Sequence, residues 1–140
     1  MHANIRSTVL AACALAVAAA APAPTLYDDL GGGPGLLAIV DHAVPHWLAD
    51  PRVGPTFAET NMPRFRRLLL EQLCQVSGGP CEYSGRTMAA SHRGLDLQQD
   101  HFNRLAEGLQ DAMSETGVGY HTQNRLIARL APMQHDVVSK

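Results

Sequence analysis

The sequence predicts an all-α, single-domain protein, and three observations carry that expectation. Apolar residues recur at spacings of three and four in four separate stretches, the repeat of one helix face. No run alternates Val, Ile or Thr with polar residues, as a half-buried strand requires. Clusters of glycine and proline fall between the apolar stretches and read as hinges. No internal repeat is visible.

Thr25, three residues ahead of Asp28, is suited to cap one short turn, Leu26 to Leu30. Gly31-Gly32-Gly33-Pro34 is then expected to break the chain. Leu36, Leu37, Val40, Val44, Trp47 and Leu48 follow as one stripe, ended by Asp50-Pro51. Pro45 is a defect in this helix that either bends it or is absorbed by a change of turn. A loop carries Phe57, and Thr60 or Asn61 caps a third helix with Pro63 near its first turn. Phe65, Leu69 and Leu73 lie four apart on its apolar face, Arg64, Arg66 and Arg67 crowd the other side, and Gly78-Gly79-Pro80 ends it. Residues 81–97 give little helix signal apart from Met88 to His92. Asp96 is the expected cap of the next helix, whose stripe is Phe102, Leu105, Leu109, Ala112 and Met113. After a turn at Gly117 to Gly119, Leu126, Ile127, Leu130 and Ala131 form the last stripe, closed by Pro132.

The N-terminus reads differently. Arg6 precedes an uncharged apolar or small run from Val9 to Ala21, and Pro22-Ala23-Pro24 follows. This is the pattern of a secretory signal peptide, so residues 1–23 are expected to be cleaved and residues 24–140 to fold. The run is too short for a stable membrane span. Leu10-Ala11-Ala12-Cys13 has the composition of a lipoprotein cleavage box, but few apolar residues precede it and the run continues past it, so lipid anchoring is the weaker alternative. The expected location is periplasmic or secreted. Loss of the segment removes Arg6 and His2, leaving 10 basic and 13 acidic side chains and six histidines.

The 140-residue chain carries a formal charge of −2 with an isoelectric point near 6.4, which excludes a strongly basic nucleic-acid or anionic-membrane binder. Its apolar share of 46% excludes wholesale disorder. Aromatic residues make up only 5%, so the core is built from aliphatic side chains or from a group that the chain does not make itself. Cys74 and Cys81 are seven apart around Gly-Gly-Pro, in a compartment where disulfides persist. A bridge is within reach, and reduced thiols are equally compatible with the spacing. Neither C-x-x-C nor C-x-x-C-H occurs, which argues against thioredoxin-like chemistry and covalent c-type haem attachment.

No H-E-x-x-H, G-x-S-x-G, phosphate-binding or dinucleotide glycine motif is present. The histidines are scattered. His42 and His46, four apart, either share a metal on one helix face or lie on a solvated face, with only Asp41 and Asp50 near them as further ligands. His101 is expected to point off the apolar stripe into solvent. His121 and His135 sit near helix ends and need no role. His92 ends a short segment of small residues, Met88-Ala89-Ala90-Ser91-His92, before Gly94. Small neighbours leave room for a flat group to approach the ring, which is weak support for a ligand.

From Leu26 to Val137 the chain resembles the group 1 truncated haemoglobins. The resemblance is carried by Leu26-Tyr27-Asp28-Asp29-Leu30-Gly31-Gly32, by Leu48-Ala49-Asp50-Pro51-Arg52, and by Phe57 and Thr60-Asn61-Met62. It continues through Gly78-Gly79-Pro80, Tyr83-x-Gly85-Arg86-x-Met88, His92-x-Gly94-Leu95, His101-Phe102 and Leu130-Ala131-Pro132-Met133. It implies a two-over-two helical sandwich around haem b, with His92 as the proximal iron ligand and its other ring nitrogen donating to a nearby acceptor. It places Phe57 against the haem plane and Met88 in the pocket, and gives Tyr83 to the propionates, with Arg64 or Arg67 and alternatively Arg86 or Arg93 as cations at the pocket mouth.

On the distal side the sequence departs from the family. The tyrosine common on the second helix is replaced by Val44, and the glutamines common on the distal helix by Phe65 and Leu69. Together with Leu73 these predict an apolar distal wall. Bound oxygen gains about 1–3 kcal/mol from a donor hydrogen bond, so its loss raises the off-rate and eases autoxidation. Gln72 and His46 are the remaining polar candidates. Binding and carriage of O2, CO or NO by a monomer or weak homodimer is the function that the resemblance implies. The alternative is redox turnover, as an NO dioxygenase or weak peroxidase, which needs an electron donor outside the chain and, for peroxide, a distal acid–base group.

Overall fold

The computed structural model describes residues 19–139, which are helical and contain no strand. The expected export segment falls on residues 1–23, of which 1–18 lie outside the described residues. α1 (Leu26–Asp29) is one turn, closed by a reciprocal cap in which Thr25 Oγ1 accepts from Asp28 N–H while the Asp28 carboxylate accepts from Thr25 N–H at 2.8 Å.

The glycine run does not break the chain as expected. Only Gly31 and Gly32 adopt positive φ, at 87° and 64°, and α2 (Gly32–Ala49) starts within the run. Pro34 falls in the first turn, where its missing N–H would have had no partner anyway. Pro45 is likewise absorbed, since α2 continues through it to Ala49. The buried face of α2 is Leu36, Ile39, Val40, Ala43, Val44 and Trp47. Leu37 and Leu48, expected in that stripe, are each 47% exposed. Successive positions are 100° apart on a helix, so the residues beside Leu36 and Trp47 rotate off the buried face.

A 3-10 turn (Gly54–Phe57) carries Phe57 to the start of α3 (Met62–Val76), which is capped by Asn61 Oδ1 accepting from Arg64 N–H at 3.0 Å. The connection to α4 is pinned by a disulfide between Cys74 and Cys81. α4 (Met88–His92) is capped by Thr87. Asp96 is not the cap of α5 (Gln99–Glu115). It turns the chain in the left-handed region, at φ 50°, two residues earlier, and Gln98 takes the cap position. α6 (Tyr120–Leu130) ends where expected, but Pro132 starts a 3-10 turn (Ala131–Met133) that runs into α7 (Gln134–Val137). A proline at the second position of a new turn forfeits no hydrogen bond, so it redirects the chain instead of stopping it.

α2 packs on α3 and most extensively on α5, while α6 packs on α5, α3 and α1. α7 folds back against α4. Leu36, Ile39, Val40, Leu73, Met113 and Leu126 form the dry centre of this arrangement.

Candidate haem site

Beside that centre lies an apolar cavity of about 350 Å³, in the size range of cofactor sites. Its walls come from α3, α4, α5, α6 and the C-terminal turns. Phe57 and Phe65 meet edge to face with centroids 5.1 Å apart, and both lean on Trp47, at 6.5 and 6.3 Å. Trp47 is fixed in turn by its Nε1–H, which donates to Leu105 O at 3.0 Å. Leu69 and Leu73 continue the α3 wall, and Tyr83, Met88 and His92 line the same cavity.

His92 is half-buried, and its Nδ1 lies 2.8 Å from Met88 O. A carbonyl only accepts, so in the neutral imidazole Nδ1 carries the proton and Nε2 is left with the lone pair. This backbone carbonyl is the acceptor for the second ring nitrogen that sequence reasoning left unspecified. Small neighbours and a helix of five residues leave the ring open to the cavity instead of packed under a neighbouring turn.

Not every expected site residue gathers there. Val44 is 5% exposed within the core cluster and is not among the cavity-lining residues, because the aromatic group around Trp47 faces the cavity from that side. Arg64 is exposed outside the lining. Arg67 pairs with Glu71, Arg66 with Asp41, and Arg86 and Arg93 are exposed. His46 bonds Glu115 at 2.9 Å and also stands outside the lining, whereas His42 turns back to Ala38 O, so these two rings share no partner. Gln72 does line the cavity and is the only polar residue that α3 contributes to it. Its Nε2 has the Met133 thioether at 3.4 Å, a weak acceptor.

Sequence reasoning missed His101. Expected in solvent, it lines the cavity, because it stands one and two helical repeats of four before Leu105 and Leu109 on the same face of α5, and its Nδ1 accepts from Gln98 N–H at 2.8 Å. The His101-Phe102 pair at a helix start was the available signal. Leu97, Leu105 and Met133 complete the lining from segments whose neighbours only the folded chain supplies.

The donor set fits haem. Among the described residues no group of three His, Cys, Asp or Glu side chains could hold a metal ion. Of the imidazoles of His92 and His101 in the lining, that of His101 has its Nδ1 engaged by the Gln98 N–H, and the free ring nitrogen of His92 suits an iron whose other nitrogen ligands are supplied by a porphyrin. The low aromatic content of the chain matches a core completed by such a group.

Comparison with known proteins gives the same answer. A family model described as bacterial-like globin matches residues 25–139. The group 1 truncated hemoglobin GlbN of Nostoc sp. (strain MUN 8820) is 36% identical over 116 residues, spanning 83% of this chain and 98% of that protein. The truncated hemoglobin of Tetrahymena pyriformis in its Fe(III) form superposes with a TM-score of 0.81 at 31% identity, over 84% of this chain and 100% of that one. The 2/2 hemoglobin of Synechococcus sp. PCC 7002, solved with covalently attached heme, superposes with a TM-score of 0.78 at 26% identity, over 84% and 100%. The all-helical fold is thus the two-over-two globin sandwich.

Proposed function

Since the chain belongs to the bacterial-like globin family, in its group 1 truncated branch, we propose that it holds haem b through His92 and reversibly binds a diatomic gas such as O2, CO or NO. The observation that carries the reading is the His92–Met88 hydrogen bond, which fixes the tautomer that an iron ligand needs. When bound, the cofactor would supply an iron centre with one coordination position open to a small ligand. His92 orients and retains the group, its Nδ1–H anchored on the backbone of its own helix. Phe57, Phe65, Leu69 and Leu73 exclude water and present apolar surface to the ligand. Met88 lines the same cavity from the start of the His92 helix. The Tyr83 hydroxyl is the donor suited to a haem carboxylate, and Gln72 the donor suited to a polar diatomic ligand.

Absorption spectra of ferric, ferrous and ferrous-CO protein test this. The expected result is stoichiometric haem with a histidine-ligated spectrum, and loss or great weakening of haem retention in His92→Ala, partly restored by added imidazole. A His92→Ala variant that keeps stoichiometric haem with an unchanged spectrum would overturn the assignment.

A further inference from the structure

α3 and α4 are joined by an irregular strap, residues 77–87. It is tied to α3 at three successive points. Cys81 is bonded to Cys74. Tyr83 N–H donates to Gln75 Oε1 at 2.6 Å. Ser84 gives both its N–H, at 2.9 Å, and its hydroxyl, at 2.6 Å, to Glu71 Oε2. Arg67 Nη1 closes the group, donating to Glu71 Oε1 at 2.5 Å and to Ser84 Oγ at 3.1 Å. The anchors at 67, 71, 74 and 75 recur with helical spacing and share one face of α3. Phe65, Leu69 and Gln72, which line the cavity, occupy the other.

The strap is also part of the site. Tyr83 within it lines the cavity, and its last residue, Thr87, caps the helix that ends in His92, accepting from Ala90 N–H at 3.2 Å. The wall built by α3 and the helix bearing His92 therefore meet through a strap whose midpoint is held by Glu71.

We propose that Glu71 is a positioning residue of the haem site: its carboxylate clamps Ser84 and so holds the segment leading into the His92 helix in register with α3. The proposal rests on the haem-binding reading above. Glu71 is not itself among the cavity-lining residues and acts through the strap. Opening the clamp does not release the strap, because the Cys74–Cys81 bond still tethers it; what is freed is the segment from Ser84 to Thr87.

The clamp is sensitive to acid. The Ser84 hydroxyl and amide, and then the Arg67 guanidinium, hold the Glu71 carboxyl below its ordinary value of 4.5. Arg67 faces it from its own helix and Ser84 from the strap, while Glu82 and Arg86, the charged residues near Ser84, are exposed. A carboxylate depressed in the folded chain contributes fully above its unfolded pKa, and the contribution is lost as pH falls through the lower folded value. Haem retention should carry that acid edge.

The test is haem transfer from ferric holoprotein to excess apomyoglobin as a function of pH, for the natural chain, Glu71→Ala, Glu71→Gln and Ser84→Ala. It is paired with the iron–histidine stretching frequency of the ferrous protein and with amide exchange at Ser84 in haem-free protein. Glu71→Ala should lose haem about tenfold faster near neutral pH, flatten the acid edge and shift the stretching frequency. Glu71→Gln, whose amide oxygen still accepts from Ser84, should fall between. A merely structural role would lower overall stability and leave the stretching frequency unmoved. Haem loss at the natural rate with an unchanged acid edge overturns the proposal, as does unchanged exchange at Ser84. If the natural chain takes up no haem, the haem reading itself fails, and Ser84 exchange still decides whether the clamp exists.

Discussion

Gln72 shows how much one side chain decides in this cavity. Phe65, Leu68, Leu69 and Leu73 make the rest of the α3 lining apolar, and the amide of Gln72 is met there only by a thioether. A donor with so weak a partner is free to turn to a polar ligand. Gln72→Leu should therefore raise the O2 off-rate by about five- to tenfold, the worth of one hydrogen bond, while the CO off-rate changes little. Stopped-flow ligand displacement measures both, and an equal effect on the two gases would show that Gln72 only shapes the cavity. The periodicity of α3 placed Gln72 near the wall, but only the fold shows which partner its amide meets. His92 was legible in a different way: the motif around it marked the residue as the candidate ligand, while its hydrogen-bond partner, the Met88 carbonyl, came only with the fold. Val44, expected at the distal wall, lies in the core, and His101, expected in solvent, lies at the cavity, because both depend on how their helices are rotated.

At the scale of helices, the most extensive packing is that of α5 on α2. A Cβ at Gly108 would lie 2.7 Å from Trp47 Nε1 and 2.8 Å from its Cδ1, so glycine at this point lets the indole approach the α5 backbone. A mid-helix glycine costs about 1 kcal/mol relative to alanine in an isolated helix. Here the close packing reverses that preference. Gly108→Ala should lower stability by about 1–3 kcal/mol and, by displacing Trp47 against Phe57 and Phe65, weaken haem binding. Urea unfolding and haem titration check the two halves of that expectation, and unchanged values in both would mean that the ring yields without loss. Stripes, caps and glycine turns announced α1, α3, α4 and α6 closely. The start of α5 and the fate of Pro34 and Pro132 were not announced, and that of Pro45 was left open between bending and absorption. A proline breaks a helix or sits quietly in a first turn depending on which carbonyls stand nearby, and neighbouring segments settle that.

The whole molecule joins a globin domain to an N-terminal segment read as an export signal, and we propose that the mature protein works outside the cytoplasm. Expression of the full chain in a host with a periplasm should yield protein shortened by about 20–23 residues, as N-terminal sequencing would show. Full-length chain confined to the cytoplasm would sink that reading. Taken by itself, the amino-acid order determined the all-α class, the positions of most helices and the family, and it singled out His92 as the candidate ligand. Each of these rests on local periodicity or on short motifs at fixed spacing. Tertiary structure alone decided that Cys74 and Cys81 are joined, that Glu71 clamps Ser84, and that Gln72 and His101 reach the cavity while Val44 and Arg64 do not. Those outcomes depend on how one helix is rotated against another, and that rotation is fixed by packing between segments far apart in the chain.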